Sequence, residues 1–248
     1  MKVLVTRYKM RDLVAWYLSE YLERVVIPEL DERGYVVIDL SEEYDSRYFF
    51  EESLKKNGDV FMVVFSGHGR EDLVTGIGYE WICKACCNDH LLKGKIVHAA
   101  SCLTAQVLGH SAVNKGASVY SGFVQPAYLV VGVDYEGPVS DCPLVDTYDP
   151  LEDKYAKPFL DTMFYPVIAF ADGKDPVTVY FETYDRYNYW IKYSMETLSE
   201  TKDACWLEVM KCLTWNRDNY VIYPVLEKKS ALIPILCFVP TFLLTLSK

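Results

Sequence analysis

The stretch "DVFMVVFSGHG", residues 59–69, decides the fold. Residues 60–65 run apolar without a polar interruption, rich in β-branched and aromatic side chains, and Gly58 and Gly67 bracket the run. A strand with one face in water alternates apolar and polar, so an unbroken run marks a strand covered on both faces. Such strands belong to parallel sheets flanked by helices. The neighbouring sequence agrees. "KVLVT" (2–6) reads as a first strand, followed by a helix over 10–33 in which Leu13, Trp16, Tyr17, Tyr21, Leu22 and Val25 recur at three- and four-residue steps. Pro28 is expected to kink or shorten it. Gly34 punctuates, "YVVIDL" (35–40) is a second strand, and a helix over 46–57 stops at Gly58. Downstream, the pattern predicts a helix over 81–92, a fourth strand "KIVHAAS" (95–101), a helix over 103–115 ended by Gly116, and a fifth strand "ASVYSGF" (117–123). Alternating strands and helices predict an α/β fold with a mostly parallel central sheet between helical layers.

The pattern then loosens. Residues 125–172 combine prolines, tyrosines and the acidic, loop-like "DYEGPVSDCPLVDTYDPLEDKY" (134–155). Long loops after such a core carry specificity. Helices are expected in the later part of 176–198 and over 202–213, and "NYVIYPVL" (219–226) reads as a last strand.

The chain has 248 residues, half of them apolar, ample for a buried core. A net charge of −10, with no basic cluster, argues against a nucleic-acid partner. The N-terminal apolar run is too short for a secretion signal. The eight cysteines lie inside apolar and helical patterns, so reduced thiols and an intracellular chain are expected. The tail "ALIPILCFVPTFLLTL" (231–246), flanked by lysines, is shorter than a spanning helix and holds two prolines. Two readings stand: a membrane anchor, or extended segments packed on the domain.

In parallel sheets, ligands gather beyond the carboxyl ends of the strands. His68 and Cys102 each fall just past such an end, on strands consecutive in sequence. A cysteine nucleophile needs a thiolate or a nearby base, and donors for an oxyanion. With a helix beginning at 103, Cys102 would sit at its N-terminus, where unsatisfied N–H groups and the helix dipole favour negative charge. His68, on a flexible Gly-His-Gly tip, is the candidate base, and Gly67 and Gly69 leave room for a substrate backbone.

"FMVVFSGHG" followed by "KIVHAASCLTA" (95–105) resembles the paired signature of the clan CD cysteine peptidases, which include caspases, gingipains, clostripain-like enzymes and CHAT-type proteases. In that signature an apolar strand ends in His-Gly and a later one in a small residue and Cys. The segment "LGHSAVNKGASVYSGF" (108–123) is similar to the family's following helix, Gly-Ala and strand. The resemblance spans residues 2–123 as architecture, and about 60 residues carry the specific motifs. It implies a caspase-like three-layer α/β/α sandwich over 1–226, with a core over 1–123, specificity loops and helices over 124–226, and the apolar tail over 227–248. It implies a cysteine endopeptidase acting on a protein or peptide substrate, without cofactor or metal. Cys102 would be the nucleophile and His68 the general acid–base. The N–H groups of Gly69 and Cys102 would form the oxyanion hole. No third catalytic residue is expected. Where clostripain-like enzymes place an aspartate two residues before the nucleophile, this chain has Ala100, and Ser101 replaces the caspase Gln-Ala context. Neither basic nor acidic specificity therefore carries over. Asp134, Ala100 and Ser66 are the candidate substrate-contact positions, with Glu136 and Asp141 behind Asp134. A silent caspase-like binding module is the alternative.

"CKACCNDH" (83–90) offers Cys83, Cys86, Cys87 and His90, a zinc-like spacing without a second ligand pair. On a helix the four would share one face, and a small apolar face is the plainer reading. His98 is expected in the core and His110 on a helix face. The aromatic residues over 180–190 suggest core or an interface.

Overall fold

Alternation along the strands fixes the layers. In β1 (Lys2–Arg7), Val3 and Val5 join one buried cluster and Leu4 joins another. In β3 (Val60–Ser66), Met62 and Val64 face the first cluster, and Val63 and Phe65 the second. Successive side chains leave opposite faces of a strand, so an unbroken apolar run needs cover on both sides. The computed structural model, which describes residues 1–9, 12–132 and 149–224, supplies that cover. The central sheet also contains β2 (Val36–Ser41), β7 (Ile96–Ala100), β8 (Val119–Phe123) and β9 (Tyr220–Tyr223), in the order β2-β1-β3-β7-β8-β9. All pairings are parallel except β8 with β9. The protein is thus α/β with a mostly parallel sheet, consistent with a three-layer sandwich.

On the first face lie α1 (Leu13–Tyr21), α2 (Ile27–Glu32), α5 (Lys157–Ala171), α6 (Pro176–Thr201) and α7 (Cys205–Asn219). On the second lie α3 (Arg47–Lys56) and α4 (Leu108–Asn114). A small antiparallel sheet of β4 (Gly69–Arg70), β5 (Leu73–Thr75) and β6 (Trp81–Lys84) joins them there. Between α1 and α2 the helix widens into one π-helical stretch, Leu22–Val26. Pro28 lies two residues beyond it, and its missing N–H and ring bulk disrupt the regular ladder.

Three expectations are corrected. Residues 81–92 do not form a helix. They form β6, a turn with Cys86 at φ 61°, and a 3-10 turn at Asp89–Leu92. The Asn88 side chain builds this turn, accepting from Lys84 N–H at 2.9 Å and donating to the Ile82 carbonyl at 2.8 Å. The helix expected over 103–115 begins only at Leu108. The loop-like region 125–172 contains the buried helix α5. Its prolines disguise it. Pro158 sits in the first turn, where no N–H is missed, and Pro166 lies inside the helix. An interior proline costs about 3 kcal/mol or more, while burying Phe159, Leu160, Met163, Phe164 and Val167 returns roughly 1.5–3 kcal/mol each. Packing decides.

Candidate functional site

β3 and β7 are hydrogen-bonded neighbours, with Ser66 opposite Ala100. His68 and Cys102 therefore leave the same rim two residues beyond that pair. Gly67 bridges from β3 at φ 151°, and a Cβ there would stand 3.2 Å from the Thr75 carbonyl. The tip is tied to the neighbouring strand: the Thr75 N–H and hydroxyl both donate to the His68 carbonyl, at 2.9 and 3.1 Å. Residues 68 and 75 thus form a hydrogen-bonded antiparallel pair. Gly69 and Val74 are then the alternate, non-bonded pair, and the Gly69 N–H points away from β5.

The Cys102 turn presses on that strand. A Cβ on Gly69 would lie 2.5 Å from the Cys102 carbonyl oxygen, 2.5 Å from Thr104 Cγ2 and 3.0 Å from Ser101 Cβ. Only glycine fits. Leu103 is held in the left-handed region at φ 65°. The segment after β8 holds the turn in place: Leu103 N–H donates to the Gln125 carbonyl at 3.3 Å, and Ala105 N–H donates to that of Phe123 at 3.1 Å. The Cys102 N–H meets no backbone acceptor among the described residues. Its Sγ stands 3.8 Å from the Ala127 carbonyl. Because α4 starts six residues later, its N-terminus does not support the thiol. Burial pushes its pKa up.

Sequence reasoning missed Asp12. Its carboxylate caps α1, Oδ1 accepting from the N–H groups of Val14 at 2.9 Å and Ala15 at 3.3 Å. Oδ2 lies 2.6 Å from His68 Nε2. The ring N–H is not aimed along that line, so the contact is a close charge pair rather than a linear hydrogen bond. The Asp12 carboxylate raises the His68 pKa, and His68 in turn lowers that of Asp12. Tyr79 packs on the imidazole with ring centroids 5.5 Å apart. An Asp before an apolar helical run is a legible cap signal. Its meeting with His68 depends on β1 lying beside β3, which periodicity does not reveal.

Asp12, His68 and Cys102 border a cavity of about 210 Å³. Its walls are Val14, Ala15 and Leu18 from α1, Ala127 and Leu129 from the segment after β8, and Met163 from α5. Ala100 also lines it. Ser66 is buried and does not line it. Asp134, Glu136, Asp141 and the tail over 227–248 lie outside the described residues.

Cys83 is buried while Cys86 and Cys87 are exposed, so the three share no face. Among the described residues no group of three or more His, Cys, Asp or Glu is placed to hold a metal ion. His98 is a core residue, its Nδ1 2.8 Å from the Ser121 hydroxyl, with its pKa pushed down to about 4 by burial. His110 lies on α4 against the Tyr223 ring. Of the aromatic run, Tyr187 is core, Tyr180 stacks on Tyr220 and Tyr189 is exposed. Among the described residues no helix is long and apolar enough to cross a membrane. Comparison with protein-family models, curated proteins and solved structures finds no match.

Proposed function

We propose that this chain is a cysteine endopeptidase of caspase-like fold, related to the clan CD peptidases and working in a reducing, intracellular setting. One observation carries the reading. The His-Gly turn and the Cys turn, 34 residues apart in sequence, meet so closely that Gly69 has no room for a Cβ beside the Cys102 carbonyl. In the reaction, the Cys102 thiol first loses its proton to solvent, and the Sγ thiolate attacks a peptide carbonyl carbon. The oxyanion is held by the outward N–H of Gly69 and the N–H of Cys102, which has no backbone acceptor among the described residues. The C–N bond breaks as His68 gives a proton to the departing amine, leaving a thioester on Cys102. Water, losing a proton to His68, hydrolyses the thioester. A histidine whose pKa Asp12 raises suits the acid step.

The test is turnover of a mixed peptide library by wild type and Cys102→Ala. Cleavage that vanishes in the variant is expected, and cleavage unchanged by the variant would end the reading. The raised pKa of the Cys102 thiol favours a second reading, a catalytically silent binding module of the same fold. That module would turn over no peptide and would leave Cys102 unlabelled by acyl-directed electrophiles.

A further inference from the structure

The cavity beside Cys102 has almost no charge to offer a ligand. Its walls are mainly apolar side chains, with Tyr128 and Ser101 beside them, and no Lys or Arg stands among the described residues that line it. The one carboxylate, Asp12, is already engaged at both oxygens: Oδ1 by the two α1 N–H groups, Oδ2 by His68 at 2.6 Å. An incoming Lys or Arg would have to take Asp12 from His68 and lose water in an apolar enclosure. An incoming Asp or Glu would meet the Asp12 charge, and the imidazole of His68, the one candidate cation at the cavity, is already paired with Asp12. An aliphatic side chain gains from burial at both walls and breaks no polar contact. The wall after β8 is firmly built. The buried Asn216 of α7 accepts from the Tyr128 N–H at 2.9 Å and donates to the Tyr128 carbonyl at 2.8 Å, fixing Ala127 and Leu129 on either side. At about 210 Å³ the space suits one side chain rather than a larger ligand.

We propose that this cavity receives the side chain of the residue whose carbonyl Cys102 attacks, and that it selects uncharged aliphatic residues such as Leu and Met. The inference rests on the peptidase reading. The test uses peptidyl electrophiles identical except at that residue: Leu, Met, Arg, Lys or Asp. Each is reacted with wild type, Cys102→Ala and Val14→Asp, and labelling is followed by mass spectrometry. Val14 is 38 % exposed at the mouth of the cavity on the first turn of α1, so an aspartate there is compatible with folding. Labelling at Cys102 is expected to be roughly tenfold or more faster with Leu and Met than with the charged probes. Val14→Asp is expected to narrow the gap by speeding the Arg and Lys probes. Labelling at Cys102 that is fastest with Arg, Lys or Asp, or equal for all five, overturns the inference and leaves the peptidase reading standing. An unchanged Arg rate in Val14→Asp also overturns it, because the selecting side chain then lies elsewhere. No labelling of Cys102 by any probe overturns both.

Discussion

Asp12 and His68 set each other's charge at a separation of 2.6 Å. Asp12→Asn isolates that effect, because asparagine caps a helix about as well as aspartate and keeps an oxygen for the Val14 and Ala15 N–H groups. In the wild type His68 titrates above its ordinary 6.5, chiefly because of Asp12. In Asp12→Asn its NMR titration is expected to fall toward or below that value. An unmoved midpoint would mean that the contact does not govern the imidazole. The linkage has a definite sign. A histidine whose pKa is raised by folding adds stability that is full below its unfolded pKa and lost as pH rises through the folded value. Both side chains are partly exposed, so the pair is worth about 1 kcal/mol or less. Cys102 shifts the same way for another reason, burial, with the Asp12 charge a smaller cause. Its reaction with iodoacetamide should therefore accelerate only above the pH range of an ordinary thiol, and a plateau already reached at neutral pH would contradict this.

At the scale of elements, the site depends on two turns that touch. Gly69→Ala forces a methyl group into the Cys102 carbonyl and Thr104, both at 2.5 Å. Overpacking of this kind costs typically about 1–3 kcal/mol. Because the clash lies against the Cys102 turn, activity should fall further than stability. Urea unfolding together with peptide turnover checks both, and an unimpaired Gly69→Ala would show that the turns are not in register. A control lies far from the site. Asp175 caps α6, accepting from the Val177 and Thr178 N–H groups at 3.0 and 3.1 Å. Asp175→Ala should lose about 1 kcal/mol of stability with turnover per folded molecule unchanged. What could be read in advance divides along the same lines. β3 was legible because a strand covered on both faces is apolar along its length, and the other four parallel strands because short apolar-rich runs alternate with helical periods and glycine stops. His68 and Cys102 were legible because parallel strands end at one rim. α5 was hidden by Pro158 and Pro166, since only its packing outweighs them. Residues 81–92 misled because Cys83, Cys86, Cys87 and His90 have helical spacing, whereas the Asn88 side chain turns the backbone back on itself. The small sheet β4–β6 was hidden because two- and three-residue strands leave no period to detect.

Stability of the whole molecule carries an imprint from Asp45, which sits just beyond β2, fully buried, with neither carboxylate oxygen hydrogen-bonded to any of the described residues. Its backbone carbonyl accepts from Ile77 N–H at 2.9 Å, so the residue holds the loop leading into β6 while its side chain has no hydrogen-bond partner among the described residues. Arg7 does not neutralise it. That guanidinium is committed to Asp39, with Nη2 2.8 Å from Oδ2, and to Glu23, with Nη1 2.7 Å from Oε2. Burial, with the Asp39 charge adding and Arg7 partly offsetting, pushes the Asp45 pKa up to about 8. The fold thus holds this proton far more tightly than the unfolded chain, where a carboxyl loses it near 4. Between those two values the native state binds more protons than the unfolded state, so stability falls as pH rises and levels off above about 8. The direction is opposite to that of the Asp12 carboxyl, whose lowered pKa makes it stabilising above the acid range. Asp45→Asn keeps the shape and removes the ionisation. Urea unfolding at pH 5.5 and 8.5 should show the wild type losing stability relative to the variant across that interval, by on the order of a few kcal/mol. General self-repulsion from a net charge of −10 also grows with pH, but it acts on both proteins and cancels in the difference. Parallel stability curves for the two would mean that Asp45 does not keep its proton in the fold.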